Sequence, residues 1–327
     1  MRILFLSILF ISQVVLGQQQ TYHKTIKLMG TRFEISVVAK NETKGNLYIE
    51  TAIHEIDRIE KLISSWDSNS QTSLINRNAG IEPVIIDLEL LELIERSIQI
   101  SKITNGAFDI TYASMDRIWK FDGSMKEMPT EEAIRNSVSK IGYKNILINH
   151  DKKTVFLKSK GMKIGFGGIG KGYAADKAKE LLVDMGVTSG IINASGDMNA
   201  WGHQADGTNW LVGITNPLNT QKVFSWLPIN NQSVVTSGDY EKYVEFNGKR
   251  YAHIINPRTG YPTTGIKSVT IFASKAELAD ALATSVFVMG LDNGLDFINQ
   301  IKGIEAIIVD DANNFHKTKN IQFKTEK

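Results

Sequence analysis

The stretch Gly165-Phe166-Gly167-Gly168-Ile169-Gly170-Lys171-Gly172 carries five glycines in eight residues. It runs into a segment with Ala174, Ala178, Leu181, Leu182 and Met185 on one apolar face, which is helical spacing. A loop without side chains lets backbone approach a ligand closely. The helix that follows offers unpaired N–H groups and a positive dipole end, both suited to phosphate. The pattern is neither a Walker A loop nor a dinucleotide fingerprint, so on its own it reads equally well as a tight structural turn. Downstream, strands are expected at 190–193, 210–214, 234–236 and 269–272, a loop at 251–262 and an apolar helix at 277–289. Upstream, residues 25–39 read as strand, interrupted at Met29-Gly30-Thr31, followed by a helix carrying Ile53, Ile56, Ile59, Leu62 and Ile63. Residues 67–80 look polar and loop-like, and Asp87 can cap a helix carrying Leu91, Ile94 and Ile98. Short strands at 146–148 and 155–157 flank the turn cluster Asn149-His150-Asp151. Helices and strands do not alternate regularly, which predicts an α+β fold of mixed sheets and packed helices rather than a doubly wound sheet.

With 327 residues, only six prolines and no Pro/Ser-rich linker, the chain reads as one continuous domain at 18–327. Its 37 basic and 35 acidic residues nearly balance, so there is no electrostatic reason to propose nucleic acid as a partner. Met1-Arg2 followed by an almost wholly apolar run from Ile3 to Leu16, then Gly17 and polar Gln18-Gln19-Gln20, reads as a cleaved signal peptide over 1–17. The run is shorter than the ~20 residues that span a bilayer. The absence of cysteine excludes disulfides, thiolate chemistry, Cys-based zinc sites and a lipoprotein anchor. The expected location is a periplasmic or other extracytoplasmic space, with no membrane span in the mature chain.

Four further segments carry candidate chemistry. In Gly106-Ala107-Phe108-Asp109, Gly106 can end a helix in the left-handed conformation. There Phe108 reads as a stacking ring or a core residue, and Asp109 as a ligand acceptor or a cap. Asn193-Ala194-Ser195-Gly196-Asp197 ends a strand with small residues and one acid, more commonly a self-bonded turn. His253-Ile254-Ile255-Asn256-Pro257-Arg258-Thr259-Gly260-Tyr261-Pro262 holds an imidazole able to move a proton near neutral pH and an arginine able to pair with phosphate. Finally, Asp280 and Thr284 are four apart on an otherwise apolar helix. Burying them without partners is costly. A hard cation such as magnesium would satisfy both; helix capping and a back-bonded threonine are the structural alternative.

Taken in order, these pieces make the chain resemble the ApbE family of FAD:protein FMN transferases over nearly all of its mature length. The matching pieces are Met29-Gly30-Thr31, Ser65-Trp66 with Ser73-Leu74 and Asn76, the 106–109 segment, Gly167 to Ala174, and the 193–197, 253–262 and 279–284 segments. The resemblance implies an α+β core with one FAD site. FAD would lie along Met29, Trp66, Ala107, Phe108, Asp109, Lys171 and Ile254. Magnesium would be held by Asp280, Thr284 and the Gly168 carbonyl. His253 is the candidate catalytic base. The implied reaction is transfer of FMN from FAD to a threonine of a target flavoprotein, such as a respiratory electron-transfer subunit, with release of AMP. A magnesium-dependent FAD pyrophosphatase and a non-catalytic periplasmic FAD-binding protein are the competing readings. Three positions depart from the family pattern: Gly165 where many members carry Asp, Asn256 where Asp is usual, and Ser195 in place of Gly.

Overall fold

A computed structural model describes residues 19–216, 219–239 and 243–321; the signal-peptide segment 1–17 lies outside the described residues. The alternating pattern of residues 25–39 produces a hairpin, Gln20–Leu28 paired antiparallel with Thr31–Ala39. Met29 and Gly30 form its turn with φ of 50° and 74°, the left-handed geometry that matches the twist of paired strands. On the second strand Phe33, Ile35 and Val37 are fully buried while Arg32 is exposed, so the period-two pattern puts one face into the core.

That hairpin begins a sheet of eight strands in the order Gln20–Leu28, Thr31–Ala39, Gly190–Ala194, Asp197–Trp201, Gln232–Gly238, Ile266–Ala273, Glu305–Asp310 and Phe315–Lys317. Every neighbouring pair is antiparallel. Helices Glu42–Ile63, Gly170–Asp184 and Ala276–Met289 pack against the sheet and each other. The first of these is capped by Asn41, whose side chain accepts from the Lys44 N–H at 3.0 Å. It buries Ile49, Ile53, Ile56, Ile59 and Ile63 along one stripe. Fully burying a side chain of this size contributes roughly 1.5–3 kcal/mol. A second cluster, formed by Val38, Ala200, Trp210, Val212, Ile229, Val234, Phe272 and Ile307, joins the sheet to the hairpin of Trp210–Asn216 and Asn219–Ile229. The three-stranded sheet of Val84–Ile85, Thr154–Leu157 and Ile146–Asn149 and the helix Leu88–Ile103 share the main core, which runs unbroken from Phe33 through Leu90 and Val155 to Ile308.

Several expectations change. Residues 67–80 contain the helix Gln71–Arg77, capped by the Ser70 hydroxyl. It is seven residues long and buries Thr72, Ser73 and Ile75, too short and too polar for an apolar period to show. Asp87 stands at the N-cap of Leu88–Ile103 but makes no side-chain cap bond; its carboxylate accepts from the Gln71 amide instead. Strand Lys249–Ala252 extends into the segment expected as loop. It pairs with Tyr243–Phe246 around Asn247-Gly248, an Asn-Gly turn signal that the strand pattern above passes over.

Helices Gly170–Asp184 and Ala276–Met289 meet at Gly172. A Cβ there would stand 2.2 Å from the Ala276 carbonyl oxygen and 2.8 Å from the Glu277 nitrogen, and backbone cannot yield as a flexible side chain can. Gly172→Ala is expected to destabilise the fold by roughly 1–3 kcal/mol, read as a lower urea midpoint at unchanged slope. An unchanged midpoint would contradict the close helix contact.

Candidate active site

Segments far apart in sequence converge on a cavity of about 620 Å³, within the range of small-molecule sites. Its walls come from the glycine loop (Gly167, Gly168, Lys171), the 195–197 turn, the end of strand Gln232–Gly238, the 253–255 segment, the 107–112 segment, and the helix Ala276–Met289.

That helix is held at its start by Asp176, whose carboxylate accepts from the Ala276 N–H at 2.9 Å and the Glu277 N–H at 3.0 Å. Burial pushes Asp176 up to about 6, against the pull of those backbone donors. One turn into the helix, Asp280 is 3% exposed and accepts from the Gly172 N–H at 3.3 Å. Asp280 therefore does not cap its own helix. Thr284 follows one turn later, and a Cβ on Gly168 would lie 3.0 Å from its hydroxyl. No side chain separates the glycine loop from Thr284.

Lys171 joins the two acids. Its ammonium bonds Asp197 and lies 3.9 Å from Asp280. Burial works against the lysine charge, but Asp280 and Asp197 outweigh it and its pKa lies above the usual lysine value. Asp197 is pushed up to about 7, by burial first and then by the Asp280 charge. Burial likewise raises Asp280, with Lys171 opposing. Two buried carboxylates thus share one ammonium, and their raised pKa values show that negative charge beyond what Lys171 balances is disfavoured there. Asp197 is not the self-bonded turn residue its surroundings suggest. Asn193 takes that part, accepting from the Gly196 N–H at 2.8 Å, while Ser195 and Gly196 adopt φ of 53° and 101°. Its pairing with Lys171 joins residues 26 apart in the chain, which no local pattern reveals.

His253 lines the cavity beside Ile254 and Ile255, and the Phe121 ring meets its imidazole edge-on at 6.5 Å between centroids. The following turn is closed by Asn256, whose side-chain oxygen accepts from the Arg258 N–H at 2.9 Å and whose carbonyl accepts from the Gly260 N–H at 2.8 Å. Asparagine at 256 therefore suffices for the turn. Arg258, a candidate phosphate partner by sequence, is absent from the lining; its guanidinium bonds the Asn105 carbonyl at 3.4 Å on an exposed edge.

Ala107, Phe108 and Asp109 all line the cavity. Phe108 is 4% exposed and also belongs to the main core. The Asp109 carboxylate is engaged by the protein itself, accepting from the Thr111 N–H (2.8 Å) and hydroxyl (2.6 Å) and the Tyr143 N–H (2.8 Å). It caps the short 3₁₀ turn Ile110–Ser114, and burial raises its pKa despite these donors. Met29 and Trp66 stand outside the lining. Met29 packs on the core, with its N–H bonded to Glu60 at 2.7 Å. Trp66 is 79% exposed, with the Arg117 guanidinium over its ring at 4.6 Å. Sequence reasoning passes over Tyr112, which lines the cavity. Its phenol oxygen lies against the Gly167 backbone, and burial of the hydroxyl, helped by the Asp280 charge, raises its pKa. Gly165 is crowded from the neighbouring turn: a Cβ there would lie 3.0 Å from the Ala113 Cβ and 4.0 Å from the Tyr112 oxygen.

Among the described residues, no group of three or more His, Cys, Asp or Glu side chains forms a metal cluster. Any metal here would rest on a mixed set of carboxylate, hydroxyl and carbonyl oxygens, the donor type that magnesium takes.

Comparisons with known proteins identify the family and the fold. The ApbE family model matches residues 29–308. The FAD:protein FMN transferase of Treponema pallidum is 29% identical over 304 residues, covering 88% of this chain and 84% of that protein. The protein of the same name from Klebsiella pneumoniae is 29% identical, with 90% of each chain covered. Among solved structures, the ApbE protein of Thermotoga maritima superposes with a TM-score of 0.83 at 31% identity, covering 92% of this chain and 97% of that one. The apo flavinyl transferase ApbE of Pseudomonas stutzeri gives 0.80 at 25% identity, covering 93% and 95%. With the family model spanning most of its length and the same fold recurring in those structures, this chain belongs to the ApbE family.

Proposed function

We propose that the protein is an FAD:protein FMN transferase, which moves FMN from FAD onto a threonine hydroxyl of a target flavoprotein and releases AMP. The observation that carries this reading is the convergence of Gly168, Lys171, Asp197, Asp280 and Thr284 beside His253 in one cavity, in a chain whose relatives are named for that activity.

The residues fit magnesium. Two buried carboxylates share one ammonium, Thr284 stands one helical turn beyond Asp280 on the cavity wall, and Gly168 approaches the Thr284 hydroxyl closely. Asp280, Thr284 and the Gly168 carbonyl would hold the ion, with Asp197 keeping Lys171 beside it. When bound, the ion offsets pyrophosphate charge as phosphorus is attacked. The chain's own groups do the rest. The N–H groups of Gly165, Ile169, Gly170 and Gly172 are engaged within the protein, so those of Gly168 and Lys171, at the start of helix Gly170–Asp184, would meet the phosphates. Lys171 supplies a fixed positive charge at the same place. His253 accepts the proton of the acceptor threonine. The threonine oxygen then forms a bond to the FMN-side phosphorus, the bond from that phosphorus to the bridging oxygen breaks, and AMP departs with the electron pair.

The test is to incubate the mature protein with FAD, magnesium and a domain carrying the acceptor threonine, read by mass spectrometry. The expected result is a mass gain equal to bound FMN, with AMP released and nothing transferred under EDTA. Free FMN and AMP with an unmodified acceptor would instead identify the pyrophosphatase, and intact bound FAD the binding protein. Asp280→Ala is expected to lower transfer by at least a hundredfold with the fold retained, since it removes a buried charge partner of Lys171 and a metal ligand together; normal turnover would overturn the metal assignment. The reading also places the protein outside the cytoplasm after loss of residues 1–17. The intact mass of protein recovered from the extracytoplasmic fraction is expected to begin at or near Gln18, and a full-length cytoplasmic product would refute this.

A further inference from the structure

We infer that Tyr112 is a substrate-binding residue whose phenolic hydroxyl donates a hydrogen bond to a phosphate oxygen of the dinucleotide seated on the glycine loop. The inference rests on the proposed transferase reading and adds a residue to its binding site.

Tyr112 sits in the 3₁₀ turn Ile110–Ser114, where Ile110, Thr111 and Ser114 are buried at 1%, 0% and 6% exposure. Tyr112 in contrast is 43% exposed, and it lines the cavity. A tyrosine displayed from a rigid, buried turn is held in place without helping to fill the core. The turn is also fastened to the glycine loop. The Gly165 N–H donates to the Ile110 carbonyl at 2.9 Å, and the phenol oxygen lies against the Gly167 backbone. The loop is shaped around that oxygen: a Cβ on Gly167 would fall 2.3 Å from it. Glycine at 167 is thus required by the phenol, not by the backbone, since Gly167 is not among the positive-φ residues.

The phenol carries a proton that it can donate. The neighbouring features along the cavity wall are those that bind anions: Gly168, the start of helix Gly170–Asp184, and the Lys171 ammonium. A neutral O–H added to this set supplies a donor without a further charge. It also sits on the glycine side of the cavity, whereas Ile254 and Ile255 line the wall next to His253.

The experiment compares the wild-type protein with Tyr112→Phe, which keeps the ring and removes only the oxygen. Dissociation constants are measured for FAD and for riboflavin, which has the same ring system and no phosphate, with a thermal melt of each protein alongside. A hydrogen bond to a charged oxygen corresponds to roughly tenfold or more in affinity. The expected outcome is FAD binding weakened about tenfold, riboflavin binding unchanged and the melt unchanged. Equal weakening of both ligands would show that the oxygen only shapes the pocket, and unchanged FAD affinity would show that it touches nothing; either overturns the inference while the transferase reading stands. A wild-type protein that binds no FAD would remove both.

Discussion

Everything in the cavity is arranged around a lysine shared by two buried acids. Lys171 begins one helix, Asp280 lies within another and Asp197 opens a central strand. Three elements are therefore tied at one point by charge. Such a cluster stabilises a fold only weakly, because desolvation of its members offsets most of their attraction. Its effect is geometric. The glycine loop, the acidic helix and the sheet cannot shift relative to one another without exposing an unpaired charge. Asp176 adds a second tie between the same two helices, bonding the first N–H groups of Ala276–Met289 from within Gly170–Asp184.

The small residues of the site follow from that crowding. Gly172 is where the helices touch backbone to backbone, Gly168 admits the Thr284 hydroxyl, and Gly167 admits the Tyr112 phenol. What looks in the sequence like one glycine-rich loop is a series of separate close approaches, with Gly170 against Ile63 and Gly165 against Ala113 besides these three. A mobile loop needs glycine for backbone freedom; here glycine is needed mainly because there is no room for anything else.

The main elements were legible because their signals are local. The turn at Met29-Gly30, the isoleucine stripe of Glu42–Ile63 and the apolar run carrying Asp280 and Thr284 each declare themselves within twenty residues or so. The irregular order of helices and strands pointed to a mixed α+β architecture, and the ordered set of short motifs to the family. What could not be read depends on distance in the chain. Asp197 resembles a turn residue until Lys171 arrives across the sheet. Arg258 looks like a phosphate ligand, but its turn carries it to the Asn105 carbonyl. Asp109 could have faced a ligand or its own backbone; its carboxylate accepts from the Thr111 and Tyr143 donors while the residue also lines the cavity. Tyr112 gives no pattern at all, since a lone aromatic beside a buried motif is more often core.

The strand order has a consequence for how the site comes into being. Strand Thr31–Ala39 takes as its next neighbour Gly190–Ala194, so the hairpin made first must wait for more than 150 residues before its open edge is covered. Closing so long a loop is slow, and the sheet's other pairings join strands much nearer to each other in the chain. The cavity wall is completed only by Asp280 and Thr284, near the end of the chain. A growing polypeptide therefore has no place to hold a dinucleotide. Whatever ligand the cavity takes can stabilise only the finished molecule, and by mass action it then acts as a late lock on the whole fold and not as a template for any part of it.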